Sequence, residues 1–270
     1  MSENLLLNFE CDDFFKAFAV SFCRAAIETP ELLLKVYEDQ GLVGYKELFE
    51  EFKDMSDSDY ALQNINNYAK EYNWETIEKT CSKWGEYGWI ANPHIVPFGF
   101  WGNFPNSQVE ADQLVMRAID KKQLFKLKSE LFELTNDSRI FTEAMLCFEN
   151  KCYTACASLL IALIDGELIR SSYLSNENKK TGARASKRVV EKVAKDEQYG
   201  LPGLFYLELL NYQMFINILF ERANDFKKEP RHINRNYLHH GMSKRNVLKR
   251  DCIKLLLAYR QTLYYSKCLK

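Results

Sequence analysis

Turn-forming residues are scarce in this chain. Only 11 glycines and 6 prolines punctuate 270 residues, and four of those glycines and three of those prolines fall between Trp84 and Pro105. A β-sandwich or barrel reverses direction roughly every 8–12 residues and needs turn residues at each reversal. Most of this chain must therefore consist of long elements with few reversals. Apolar spacing says which kind. Cys11, Phe14, Phe15, Phe18 and Phe22 recur at steps of three and four, as do Leu248, Cys252, Leu255, Leu256, Tyr259 and Leu263 near the other end. That period belongs to one face of an α-helix, and the expected fold class is all-α.

The stripes predict a first helix ending before Pro30, a short one from about Glu31, and an acidic helical stretch over 44–80 carrying Tyr45, Leu48, Phe49 and Phe52. The segment from Trp84 to Pro105 holds three of the four tryptophans and reads as a loop with aromatic anchors. Its rings are expected to pack rather than stack on bases, because few cations surround them. A boundary is drawn there, giving an acidic helical region over 1–105 and a helical domain over 106–270. Within the second, Val109 to Leu134 reads as one charged helix, and Asp137-Ser138 as the cap of another running to Asn150. Cys152 to Tyr173, apolar nearly all round, suits a central helix. Ser175 to Gly182 is polar, and Leu204 to Phe220 is again apolar. On the last helix Lys249, Arg250, Lys254 and Arg260 lie off the apolar stripe.

The longest apolar run, Ala155 to Ile164, is interrupted by Ser158 and closed by Asp165, too short for a membrane span. Met1 to Leu7 lacks a basic n-region, so no secretion signal and no membrane association are expected. Eight cysteines without CxxC spacing point to reduced, mostly buried thiols and a cytoplasmic location. Charge is distributed unevenly. From Arg231 onward there are ten Lys or Arg and one acid, Asp251, so this tail carries +9 in a chain of net −1 and residues 1–230 carry −10. A polyanion is one natural partner for such a tail, and the acidic remainder of the same chain is the other.

There is no phosphate-binding GxxxxGK, no GxGxxG, no HExxH and no GxSxG. Three of the four histidines, His232, His239 and His240, fall within nine residues, in Arg231-His232-Ile233-Asn234-Arg235-Asn236-Tyr237-Leu238-His239-His240-Gly241. The segment itself holds no acidic or thiol ligand, and His239 and His240 are adjacent, so no metal and no cofactor are expected. Arg and His suffice for metal-free phosphodiester chemistry: imidazole moves protons near neutral pH, and a planar guanidinium holds phosphate oxygens. RNA supplies the nucleophile in its 2′-hydroxyl.

The run Arg235-Asn236-Tyr237-Leu238-His239-His240 resembles the R-N-x-x-x-H form of the Rx4–6H motif of HEPN-domain ribonucleases, all-helical nucleases of toxin–antitoxin, abortive-infection and CRISPR systems. Together with the Ala155 to Ile164 helix ending in Asp165-Gly166, it also resembles uncharacterised bacterial proteins related to abortive-infection factors. The resemblance covers roughly 140–270. It implies a homodimer with two motifs facing one cleft, and RNA cleavage to a 2′,3′-cyclic phosphate and a 5′-hydroxyl. It further implies that Arg235 binds the scissile phosphate, His240 serves as general acid or base, Asn236 orients backbone or substrate, and Asp165 orients an imidazole. Lys244, Arg245, Lys249 and Arg250, on the basic flank, are the expected RNA contacts. An antitoxin or regulatory protein is a further expected partner.

Helical geometry leaves the histidine open. In a continuous helix Arg235 and His240 differ by about 140°, whereas Arg235 and His239 differ by only about 40°. A break at Gly241, with Ser243 as a cap, favours His240; a straight helix favours His239. Two other readings use the same residues: a catalytically silent module that binds RNA or protein, and a structural Arg/His pair that caps the preceding helix.

Overall fold

The computed structural model describes residues 74–91, 105–135, 138–171, 184–185 and 203–268. The helices expected before residue 74, the polar stretch 175–182 and Trp101 lie outside the described residues. Those described form eight α-helices and no strand: α1 Trp74–Glu86, α2 Gln108–Ala118, α3 Lys121–Leu134, α4 Arg139–Glu149, α5 Tyr153–Ser171, α6 Gly203–Leu219, α7 Arg235–His239 and α8 Lys249–Cys268. The fold is all-α. No helix among them is long and apolar enough to cross a membrane.

Helix α8 is more completely buried than α5, on which it packs. Every residue from Asp251 to Ser266 is buried, on all faces, whereas α5 leaves Thr154, Ala155, Ala162 and Arg170 exposed. The expected apolar stripe from Cys252 to Leu263 is buried, and so are the polar Lys254, Arg260, Thr262 and Ser266, because each of these four meets a partner from another element. Lys254 Nζ lies 2.6 Å from Asp112 of α2, Arg260 Nη2 lies 2.9 Å from Glu130 of α3, Thr262 shares a 2.7 Å hydrogen bond with Tyr212 of α6, and Ser266 shares one with Ser171 of α5. Leu248, expected on the apolar stripe, precedes the helix and is 41% exposed.

Val109 to Leu134 is two helices rather than one. Asp120 breaks it with a capping box: its carboxylate accepts from Gln123 N at 2.7 Å, and the Gln123 side chain accepts from Asp120 N at 2.8 Å. Ser138 caps α4 by position but makes no side-chain cap bond. Cys152 is exposed and sits ahead of α5, so of the thiols described Cys81, Cys156 and Cys252 are the buried ones.

Helix α1 packs closely on α6 at Gly85. A Cβ on Gly85 would come within 2.3 Å of the Asn211 carbonyl, so only glycine fits. Asn211, fully buried, donates to the carbonyls of Cys81 and Trp89 and accepts from Ala91 N, stitching the end of α1 and its loop onto α6. Trp84 and Trp89 are fully buried and belong to one hydrophobic cluster with residues of α2 to α6 and α8. Residues 81–91 thus share one core with the helices that follow residue 105.

Asp112 is the electrostatic centre of this core. Its carboxylate accepts from Trp89 Nε1 at 3.0 Å, Gln108 Nε2 at 3.2 Å and Lys254 Nζ. Arg250 Nε approaches at 3.2 Å without hydrogen-bond alignment. Lys254 also donates to the Tyr87 carbonyl at 2.8 Å and lies 4.7 Å over the Trp89 ring. Burial pulls the Lys254 pKa down, against the opposing pull of Asp112.

Candidate functional site

The motif occupies a one-turn helix of its own, α7, separated from α8 by a loop. Asn234 is its N-cap. The side-chain oxygen accepts from Asn236 N at 3.0 Å and Tyr237 N at 3.2 Å, while the amide donates to the Ile218 and Glu221 carbonyls where α6 ends. Asn236 adds a 2.8 Å bond to the Glu221 carbonyl. Two asparagines thus meet carbonyls at the end of the preceding helix, and His232 also reaches the Ile218 backbone. Tyr237, buried, anchors the turn by donating to the Lys228 carbonyl at 2.7 Å. Gly241, at φ 67, ends it, and the break expected there is present.

Ser243 does not cap α8. Its hydroxyl donates to Glu229, whose carboxylate also accepts from Lys244 N at 2.8 Å and Arg245 N at 3.5 Å. The α8 cap comes from Asp251, the one acid of the tail, which accepts from Leu248 N and takes both its oxygens to Arg245 Nη2 at 2.9 Å. Burial disfavours ionisation of Glu229, but the bonds from Ser243, Lys244 and Arg245 outweigh it and hold its pKa below the usual value. The sign follows: a depressed folded-state pKa stabilises the fold above the ordinary carboxylate range, and that contribution is lost as pH falls through the depressed value. Thermal melts should therefore show Glu229→Gln less stable than the native chain at pH 7, with the gap closing below about pH 4. A gap that persists undiminished at low pH would show that the carboxylate charge does not staple this loop.

Arg235 stands on the face of α7 turned toward α5. Its Nη2 donates to Asp165 at 3.3 Å and its Nη1 to Asn236 Oδ1 at 3.3 Å. The Nε is buried and has no hydrogen-bond partner among the described residues. His239, one helical turn on, places Nε2 at 3.3 Å from the Ser158 carbonyl of α5. A carbonyl only accepts, so Nε2 carries the proton and Nδ1 is the acceptor nitrogen. Burial lowers the His239 pKa, with Arg235 lowering it further and the Ser158 carbonyl and Asp165 raising it.

The structure thus brings Arg235, Asn236, Asp165 and His239 together where α5 meets α7. His240 is directed elsewhere. It is exposed, and its ring meets Phe226 edge to face at 5.6 Å. His232 lies apart, 3.4 Å from the Glu221 carboxylate, with burial lowering its pKa. The three histidines have three different neighbours, and no His, Cys, Asp or Glu group among the described residues is placed to hold a metal ion. Asp165 pairs with the Arg235 guanidinium.

Of the basic flank, Lys244 and Lys249 are exposed. Arg245 and Arg250 spend their charge on Asp251 and Asp112. Much of the tail's positive charge is answered by acids of the same chain, through Asp165, Asp251, Asp112 and Glu130.

The chain matches no family model, no curated protein and no solved structure.

Two features of the site went unread in the sequence. One is the Ser158 carbonyl, a backbone group that leaves no sequence mark. The other is Phe226, which follows Asp225 in a tight turn where both residues take left-handed φ, 59 and 57. Such a backbone costs a non-glycine residue about 1–2 kcal/mol, and only Asn224-Asp225 hints at it, as a turn-prone pair.

Proposed function

We propose that this protein is a metal-independent endoribonuclease of HEPN type, working in the cytoplasm in a defence or toxin–antitoxin setting. The observation that carries this reading is the pairing of Arg235 with His239 on one face of α7, the imidazole tautomer set by the Ser158 carbonyl. A neutral His239 has an unprotonated nitrogen near neutral pH, as a general base needs. His239 takes the 2′-hydroxyl proton, the 2′-oxygen attacks phosphorus, and the bond to the 5′-oxygen breaks. His240, turned from Arg235 toward Phe226, returns a proton to that leaving oxygen across the shared cleft of the dimer. The products are a 2′,3′-cyclic phosphate and a 5′-hydroxyl. Arg235 binds a non-bridging phosphate oxygen and answers the charge that builds there. Asp165 and Asn236 hold the guanidinium in register, and Lys244 and Lys249 meet the flanking phosphates. By the same resemblance the active form is a homodimer, its two motifs sharing one cleft.

The purified protein is expected to cleave single-stranded RNA in the presence of EDTA. Loss of cleavage on chelation, restored by a divalent ion, would overturn the mechanism.

A second reading, a silent module that binds RNA or a partner protein such as an antitoxin, draws support from one observation. Arg235, Arg245 and Arg250 already hold intramolecular carboxylates, which lowers the charge offered to a polyanion. Stable RNA binding without cyclic-phosphate product in any RNA tested would favour it.

A further inference from the structure

The Asn224–Phe226 turn and the aromatic contact it makes are used by nothing in the scheme above. Phe226 lies between two rings of α7 and its cap. On one side is Tyr237, 5.1 Å away and 72° inclined; on the other is His240, 5.6 Å away and 75° inclined. Tyr237 is a fixed support, 4% exposed, with its hydroxyl donating to the carbonyl of Lys228 and, at 3.4 Å, to that of Ala223. Those two bonds bracket the turn. The turn itself is closed by Phe226 N donating to the Ala223 carbonyl at 2.7 Å, with Asp225 and Phe226 both left-handed.

Phenylalanine has no local preference for that backbone, so something must hold it there. A left-handed Phe at a surface turn persists only where its surroundings over-determine it, and such positions cluster at functional sites. Here the surroundings are Tyr237 and the turn bonds, and the result is a ring delivered against an exposed histidine. His240 needs such a support. It is the cap residue of a one-turn helix and precedes a glycine at φ 67, so the backbone alone does little to restrict its side chain.

We propose that Phe226 is a positioning residue for His240: it holds the imidazole in one rotamer through the edge-to-face contact, so that the ring is aimed before substrate arrives. This rests on the ribonuclease reading for its purpose, though the contact can be tested without it. An aimed acid spares the reaction the entropy of freezing a surface side chain, and a misplaced one loses rate without losing affinity.

The experiment measures three-bond couplings that report His240 χ1 by NMR in the native protein, Phe226→Leu and Phe226→Tyr, beside kcat and KM on a single-stranded RNA. The native protein should show one rotamer, Phe226→Leu averaged couplings, and Phe226→Tyr the native values again. In parallel, kcat should fall ~10- to 100-fold in Phe226→Leu with KM little changed, and recover in Phe226→Tyr. Averaged couplings in the native protein, or unchanged couplings in a folded Phe226→Leu, overturn the proposal. The native measurement decides even if the leucine variant does not fold. If the native protein cleaves no RNA but its His240 holds one rotamer that Phe226→Leu releases, the ribonuclease reading fails and the positioning stands.

Discussion

His239→Ala is expected to lower RNA cleavage by roughly 10²- to 10⁴-fold while leaving RNA affinity nearly unchanged, the loss that follows when one proton-transfer group is removed. His240→Ala should fall in the same range. Arg235→Ala should damage both binding and turnover, because the guanidinium holds the phosphate in the ground state and its added charge in the transition state. The pattern separates the assignments. If one histidine variant keeps native cleavage in a folded protein, that residue is not a proton-transfer group. If neither variant alters any RNA-directed activity, the histidines are structural and the ribonuclease reading is wrong. The flank behaves differently: Lys249→Ala should weaken RNA binding and flatten its salt dependence by about one phosphate contact. Arg250 already faces Asp112, so its removal should cost less affinity. Equal losses from the two would show that the Arg250 pair opens to meet RNA.

Asp112→Ala is expected to be among the most destabilising single changes in the described core, by about 3–5 kcal/mol in chemical denaturation. Asp112 is 5% exposed, as is Lys254. Removing the carboxylate leaves the buried ammonium without its nearest counter-charge and orphans the Trp89 Nε1–H. The cost comes from stranding a charge rather than from losing a favourable pair. Lys254→Met, combined with Asp112→Ala, should therefore recover much of the loss, since a buried pair replaced by apolar groups of similar volume is often neutral. A double variant no more stable than Asp112→Ala alone would show that packing around Trp89, not the ammonium, is what Asp112 secures.

Glutamine at 112 would be a different experiment, because the amide keeps hydrogen-bond capacity while losing charge. Serine or alanine at Gly85 is more severe in another way. There the obstacle is backbone, the Asn211 carbonyl, which has no rotamer by which to move aside.

The helices could be read from the chain because helix periodicity is local. The stripe Cys252, Leu255, Leu256, Tyr259 and Leu263 marks α8 in sequence and in space. A capping box is local too, and the three-residue spacing of Asp120 and Gln123 marks the division of Val109 to Leu134. The Arg/His segment was conspicuous by its residue types alone. What those types touch was not. Asp165 and Arg235 stand 70 residues apart, and nothing in either segment says that the carboxylate would meet that guanidinium. The choice between His239 and His240 as the neighbour of Arg235 likewise depended on where the one-turn helix stops.

Composition and short-range spacing are enough for an all-α chain, its turn-poor helices and the concentration of Arg and His ahead of a basic last helix. That the basic helix is the buried one follows from packing alone. Lysine and arginine on a helix face signal water unless acids wait on the neighbouring helices, and Asp112 and Glu130 come from α2 and α3, far back in the chain. Burial of a charge depends on its partner, and the partner is chosen in space.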